Sequence, residues 1–233
     1  GNSNVIGMAD GTYNGAKPFV FSGTTADKEL TNKGTISVGD QSAVLYAKNN
    51  AAMLNPGTIS IEKNSAALYG VSVNDIENSG TINVGENSKG IYLKDGLLTG
   101  TLNSGKILSS SNTAVGIISD YNGGSPTLIK TINEIKLTGE NSIGIYTTGT
   151  GIQNVENKEL IEIGDSSDRS NPGIGIYNTG TGNTVLNTGE INTGVNSLGI
   201  YSKGGTVTES GDLNIGSNGT GIYSDGGSVI INS

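Results

Sequence analysis

Seven tyrosines and one isoleucine stand at a near-constant interval along this chain, and each closes a copy of one short motif. Gly80-Thr-Ile-Asn-Val-Gly-Glu-Asn-Ser-Lys-Gly-Ile-Tyr92 is its clearest form, with earlier copies over 34–46 and 57–69. Later copies end in Glu140-Asn-Ser-Ile-Gly-Ile-Tyr146, Asn171-Pro-Gly-Ile-Gly-Ile-Tyr177, Val195-Asn-Ser-Leu-Gly-Ile-Tyr201 and Ser217-Asn-Gly-Thr-Gly-Ile-Tyr223. Asn112-Thr-Ala-Val-Gly-Ile-Ile118 is the copy with isoleucine in place of tyrosine. The closing positions are 23, 23, 26, 28, 31, 24 and 22 residues apart. A period in the twenties means a stacked array, because one such unit cannot bury its apolar face alone.

Within each repeat the apolar residues alternate. Ile36 and Val38, Ile59 and Ile61, Ile82 and Val84, Ile161 and Ile163, and Leu213 and Ile215 are all two apart. That period over four to six residues predicts a strand with one buried face. Ser-x-Gly-Ile-Tyr predicts a second short strand. A third ends two residues before an Asn-x-Gly corner, with Met53, Ile76, Val155, Val185, Val207 and Ile230 as its inward residues. No stretch has helical periodicity. The fold class is therefore all-β: a right-handed parallel β-helix with three short strands per coil of about 23 to 31 residues. At about 4.8 Å per coil, roughly nine coils make a rod on the order of 45 Å long. An antiparallel sandwich does not account for near-identical coils with asparagine at the same two corners.

Those asparagines form two sets. Asn64, Asn87, Asn112, Asn141, Asn171, Asn196 and Asn218 precede the second strand; Asn32, Asn55, Asn78, Asn103, Asn157 and Asn187 occupy another corner. Asparagine tolerates the left-handed backbone of a tight corner, and amides stacked in register can bond to one another.

Residues 1–31 read as an irregular N-terminal coil with an insertion, and 32–233 as the repetitive β-helix, continuous with it as one solenoid domain. Asn2 to Gly7 reads as a worn copy. Thr12 to Lys28 reads as the insertion, with Phe19-Val-Phe21 packing a small apolar patch on the array. Both ends fall inside degenerate copies, so the expectation is a piece of a longer array.

Composition removes several functions. A net charge of −8 with one arginine, Arg169, argues against nucleic acid and anionic lipid, which need clustered positive charge. The chain has no cysteine, hence no disulfide, thiolate chemistry or cysteine-type zinc site. No apolar run is long enough for a membrane-spanning helix, and no signal peptide is visible.

The units Gly-Thr-Ile-x-Val-Gly and Asn-Ser-x-Gly-Ile-Tyr, in a cysteine-free chain rich in Gly, Asn, Thr and Ser, resemble the secreted passenger domains of type V autotransporters. The long repetitive fusobacterial outer-membrane adhesins are the nearest in style, and the resemblance covers 32–233. It implies a rod projecting from a Gram-negative outer membrane for adhesion, with a host-cell receptor, a glycan or other bacteria as partner. It also implies membrane anchoring through a C-terminal β-barrel that this sequence does not contain.

Two rival readings stand beside the adhesin. One is a polysaccharide lyase or hydrolase on the same scaffold; the other is a pure spacer. Histidine, the commonest general base, is absent. Glu62, Glu86 and Glu140 recur with the repeat, as a solvated edge that discourages aggregation would. No triad and no phosphate loop occurs, and the expectation is no catalytic residue, no cofactor and no metal. Asp165 and Asp168 offer oxygens to a calcium ion, but the spacing matches no calcium motif, and a surface loop with an Asp168–Arg169 contact is the plainer reading.

If x and Ile of Ser-x-Gly-Ile-Tyr face inward, tyrosine and glycine face outward. Ala43, Ala66, Val115, Ile143, Ile174 and Leu198 at x favour that phase; Lys89 and Thr220 go against it. The tyrosines then form an outward stripe, open to sugars or receptors, or stacked on one another as a cover for the backbone. The longest coils lie between Tyr92 and Tyr177, and their extra residues must leave as loops, where recognition concentrates. Ser119–Pro126 and Asp165–Pro172 are thus the candidate contact loops, with Asp120, Tyr121, Asn122, Asp165, Asp168 and Arg169 as contact residues.

Overall fold

The structure is a computed structural model that describes residues 12–15 and 29–232. Among the described residues there are 25 strands and no helix, and every strand pairs in parallel with the strand one coil away. Nine strands form the first face, running from Thr12–Gly15 through Thr81–Asn83 to Asp212–Ile215. Eight form the second face, from Ala43–Lys48 to Thr220–Ser224, and so mark eight turns where the sequence suggests nine. The third face is split into sheets of three and five strands. The fold is a three-sided parallel β-solenoid.

The split has a local cause. The coil after Tyr92 runs Gly96-Leu-Leu-Thr-Gly-Thr-Leu102 and forms no strand on the third face. Its bridges there are isolated ones at Asn103, to Asn78 and to Thr131. They stand beside backbone bonds such as those from the Asn78 amide to the Leu102 carbonyl and from the Leu102 amide to the Lys130 carbonyl, both 2.9 Å. Leu98 and Leu102 are buried in the core instead of alternating. Thr127 takes over a missing ladder bond: its Oγ1 accepts the Leu98 amide at 2.8 Å and donates to the Gly96 carbonyl at 2.8 Å.

On the first face the period-two reading holds through the array: Ile36, Ile59, Ile82, Ile107, Ile135, Ile161 and Ile191 form one buried column. On the third face Met53, Ile76, Val155, Val185 and Val207 are buried as expected. Ile230 is not. The register pairs it with Thr208, which faces out, and pairs Val229 with the inward Val207. Asn232 looks like a corner residue in the sequence, but Ile231 stands opposite Glu209 at that corner.

The solenoid also reaches further toward the N-terminus than the repeat suggests. Thr12–Gly15 pairs with Thr35–Val38, and Glu29–Thr31 with Ala52–Leu54. Thr12–Gly15, read from the sequence as the start of the insertion, is a strand of the first face, although Thr-Tyr-Asn-Gly carries none of the alternating aliphatics that mark a strand elsewhere; residues 16–28 lie outside the described residues. Asn2–Gly7 and Phe19-Val-Phe21 lie outside the described residues.

The second face breaks the simple alternation. In Lys89–Lys94, Gly90 and Ile91 are both buried, while Lys89 and Tyr92 are only half covered. Position x therefore faces out and glycine faces in, the reverse of the sequence-based phase; isoleucine inward and tyrosine outward agree with it. A Cβ added at Gly90 would lie 2.7 Å from the Gly116 carbonyl oxygen and 3.0 Å from Cγ2 of Ile107. Two consecutive inward residues require a local kink, and the ladder skips that position: Lys89 and Ile91 pair across to Val115 and Ile117, with Gly90 left out. Lys89 and Thr220 at x are then ordinary outward residues. Val44 and Ala67, which stand where later coils have glycine, are fully buried.

Candidate functional site

The two asparagine corners do different physical work. Asn64, Asn87, Asn141, Asn196 and Asn218 have φ between 52° and 59°, the left-handed conformation asparagine adopts more readily than most residues. Gln41 and Thr113 take that place in two other coils, and Asn112 is not the left-handed residue of its coil. Only Asn87 and Asn64 join by their amides there, at 2.6 Å.

The other corner is a buried side-chain ladder. Asn32 Nδ2 donates to Asn55 Oδ1 at 2.7 Å, Asn55 to Asn78 at 2.7 Å, and Asn78 to Asn103 at 2.8 Å. Thr131 then interrupts: it accepts from Asn103 at 3.1 Å but donates to the Asn133 carbonyl, which leaves Oδ1 of Asn157 unpartnered. The ladder resumes from Asn157 to Asn187 at 2.7 Å and passes to Glu209 Oε1 at 2.7 Å.

Glu209 is 4% exposed, and its Oε2 has no hydrogen-bond partner. Burial pushes its carboxyl above the ordinary value near 4.5; bonds from Asn187 and the Gly211 amide pull it back, and Asp212 raises it again. A raised carboxyl binds its proton more readily in the folded chain than in the unfolded one. Glu209 thus weakens the fold as pH rises from 4.5 through its folded value, and the penalty disappears below 4.5. Glu209→Gln is expected to raise stability near neutral pH by roughly 1 kcal/mol. In thermal unfolding scans across pH, that gain should close as the parent glutamate protonates.

The tyrosines form two outward columns. Ring centroids are 5.2 Å apart for Tyr46–Tyr69 and 4.9 Å for Tyr69–Tyr92, both edge-to-face. Tyr146, Tyr177, Tyr201 and Tyr223 follow at 5.1, 4.8 and 5.5 Å. Ile118 separates the two groups. The rings pack on one another and cover the strand beneath. Burial, with a neighbouring tyrosine next in effect, holds the hydroxyls of Tyr92 and Tyr201 above the ordinary phenol value, so both are neutral hydrogen-bonding groups.

Of the candidate contact residues, Tyr121 does not project. It is 2% exposed, its hydroxyl donates to the Ser125 carbonyl, and its ring is enclosed by Gly123 and Gly151. It is the anchor of its own loop, and its loss would open that loop from within. Asn122 is exposed but fully engaged: it donates to Asp95 from both nitrogens, its Nδ2 reaches Asp120, and its Oδ1 accepts from Thr150. Asp120 also pairs with Lys94 at 2.7 Å.

Asp165–Pro172 fits the expectation of a surface loop more closely. Asp165 Oδ1 accepts the Val195 amide at 2.7 Å and ties the loop to the next coil. Asp168 accepts from the hydroxyl and amide of Ser170, which hold its carboxyl below the usual range. The expected Asp168–Arg169 contact is not made: Ser170 satisfies Asp168, and Arg169 is exposed without an ion pair among the described residues.

The recurring carboxylates are exposed or paired. Lys63 meets Glu86 at 2.8 Å across one coil, and Glu140 accepts from Ser167 at 2.9 Å. Such exposed pairs contribute little to stability. Among the described residues no group of three or more His, Cys, Asp or Glu side chains is placed to hold a metal ion.

The sequence reading missed the buried serines of the motif. The Ser42 amide donates to Ser65 Oγ at 3.0 Å, and the Ser65 amide to Ser88 Oγ at 2.9 Å, so hydroxyls replace backbone partners where the chain turns into the second face. Their recurrence one residue before x, at Ser42, Ser65, Ser88, Ser142 and Ser197, was the available signal.

Fold and surface together define a parallel β-solenoid with columns of tyrosine on its outer face. No protein-family model, no curated protein and no solved structure matches the chain.

Proposed function

We propose that this chain is a non-enzymatic segment of a secreted bacterial surface adhesin, an autotransporter passenger of a Gram-negative cell that attaches it to host cells or to other bacteria. The observation that carries the reading is the stack of in-register coils, whose outer face repeats tyrosine coil after coil. A solenoid adds about 4.8 Å of reach with each coil, and repeated outward aromatics offer a partner several equivalent footholds. Arg169, exposed on the loop 165–172, is of the residue type enriched at binding hot spots. Anchoring falls to a β-barrel encoded beyond this segment.

Beads coated with the segment are expected to adhere to epithelial cells or to partner bacteria, and Arg169→Ala should weaken that adhesion several-fold without changing thermal stability. Absence of adhesion to every surface in the panel, or turnover of a glycan that one carboxylate substitution abolishes, would contradict the reading.

A further inference from the structure

We propose that the trough beside Tyr69 and Tyr92 is a binding site for a sugar ring that carries a carboxylate. The inference rests on the adhesin reading and names the class of ligand for one face of it.

Because x faces outward, its size decides what lies between the left-handed corner and the tyrosine rings. In the fifth, sixth and seventh coils of the second face x is Ile143, Ile174 and Leu198, after Val115 in the fourth, and these branched side chains occupy the strip; the eighth coil has Thr220. Ile174 and Leu198 are themselves covered, at 9% and 8% exposure. In the first coils x is Ala43 and Ala66, and the strip is open. One wall of this trough is formed by Tyr69 and Tyr92, and the other by the corner at Gln41 and Asn64. Lys89 stands in the same lining. Its Nζ donates to the Asn87 carbonyl at 3.1 Å, and it forms no ion pair among the described residues.

Each part selects a feature of the ligand. The negative face of a tyrosine ring attracts the C–H face of a sugar. The corner amides can donate to and accept from hydroxyl groups. Lys89 supplies a compact cation with free donors, on a chain whose net charge is −8. Lys63 and Lys94 nearby are already paired, and Lys48, at the far end of the strand Ala43–Lys48, is not in the trough lining. A concave strip with apolar walls and few convergent polar groups is the usual form of a small-molecule site. The ligand that uses all of these is a pyranose with a carboxylate, found in sialic acid and in uronic acids.

Three variants are drawn from residues the same columns already accept. Ala66→Leu fills the trough as Leu198 fills it later. Lys89→Thr copies Thr220, and Tyr69→Ile copies Ile118. Affinity for sialyllactose, tetragalacturonate and neutral lactose would be measured by titration NMR, with tetraglutamate as a peptide acid. At least one acidic sugar should bind at least tenfold more tightly than lactose and tetraglutamate, and which one binds identifies the source of the carboxylate. Ala66→Leu and Tyr69→Ile should each weaken it tenfold or more, and Lys89→Thr should remove the preference over lactose. Equal affinity for lactose, equal affinity for tetraglutamate, undiminished binding by Ala66→Leu, or no binding of either acidic sugar overturns the site.

Bead adhesion separates this inference from the reading beneath it. Adhesion that Ala66→Leu leaves intact removes the trough and keeps the adhesin. Sugar binding in solution with no adhesion by parent beads keeps the trough and removes the adhesin.

Discussion

Ile82→Asp should lower the stability of this chain by at least about 4 kcal/mol, because it buries a charge with no partner. Ile82 has no exposed surface and lies between Ile59 and Ile107, both equally buried, in the inward column of the first face. Every neighbour in that column is aliphatic, so an aspartate there must either ionise without compensation or protonate, and the lost isoleucine packing adds to the penalty. The adjacent Asn83 faces out, where its Nδ2 donates to Ser60 Oγ at 3.0 Å. Asn83→Asp removes that one bond at the surface and should change stability by no more than about 0.5 kcal/mol. Urea unfolding of the two variants measures the difference, and equal effects would mean that the strand is turned the other way.

Asn78→Leu should cost on the order of 4 kcal/mol, although leucine is the more apolar residue and the site is fully buried. The Asn78 amide accepts from Asn55 at 2.7 Å and donates to Asn103 at 2.8 Å. Leucine would leave a buried donor below and a buried acceptor above, each costing about 1–3 kcal/mol. Asn78→Thr should fall between parent and leucine, because Thr131 already stands in this column and accepts from Asn103. Asn87 sits at the other corner with φ of 52°, where its backbone conformation matters more than its exposed amide. Asn87→Gly should therefore be close to neutral. If leucine at 78 were as mild as glycine at 87, the ladder would not be what holds that corner.

The contrast between these corners shows how far sequence reading reaches. Both carry asparagine in most repeats, and both were expected to serve as turn and amide stack at once. Burial and φ divide the roles, and neither is visible in residue type alone. The first face was legible because in most coils an isoleucine and a second aliphatic residue stand two apart there. The second face was misread because Gly90 and Ile91 both point inward, which the period-two rule forbids. Val44 and Ala67 in the glycine position, and Lys89 and Thr220 at x, were the signs of the true phase.

Loops were harder still. The long coils were expected to send their extra residues outward, yet Leu98 and Leu102 of the first of them are in the core, and an off-repeat tyrosine was read as a contact when Tyr121 is the core of its own loop. A small loop rich in glycine has little else to bury, and that consideration would have favoured the inward placement. The trough beside Tyr69 follows only from the corrected phase, since with x inward Ala43 and Ala66 would have lined the core.

The most direct test of the stacked, in-register architecture is a methyl nuclear Overhauser map of the chain with labelled isoleucines. An unbroken ladder of contacts is expected from Ile59 to Ile82, Ile107, Ile135, Ile161 and Ile191 in turn, with a second ladder through Ile91, Ile117, Ile145, Ile176 and Ile200. Contacts mirrored about a turn, as antiparallel hairpins would give, or contacts that skip coils, would contradict the solenoid and everything built on its outer face.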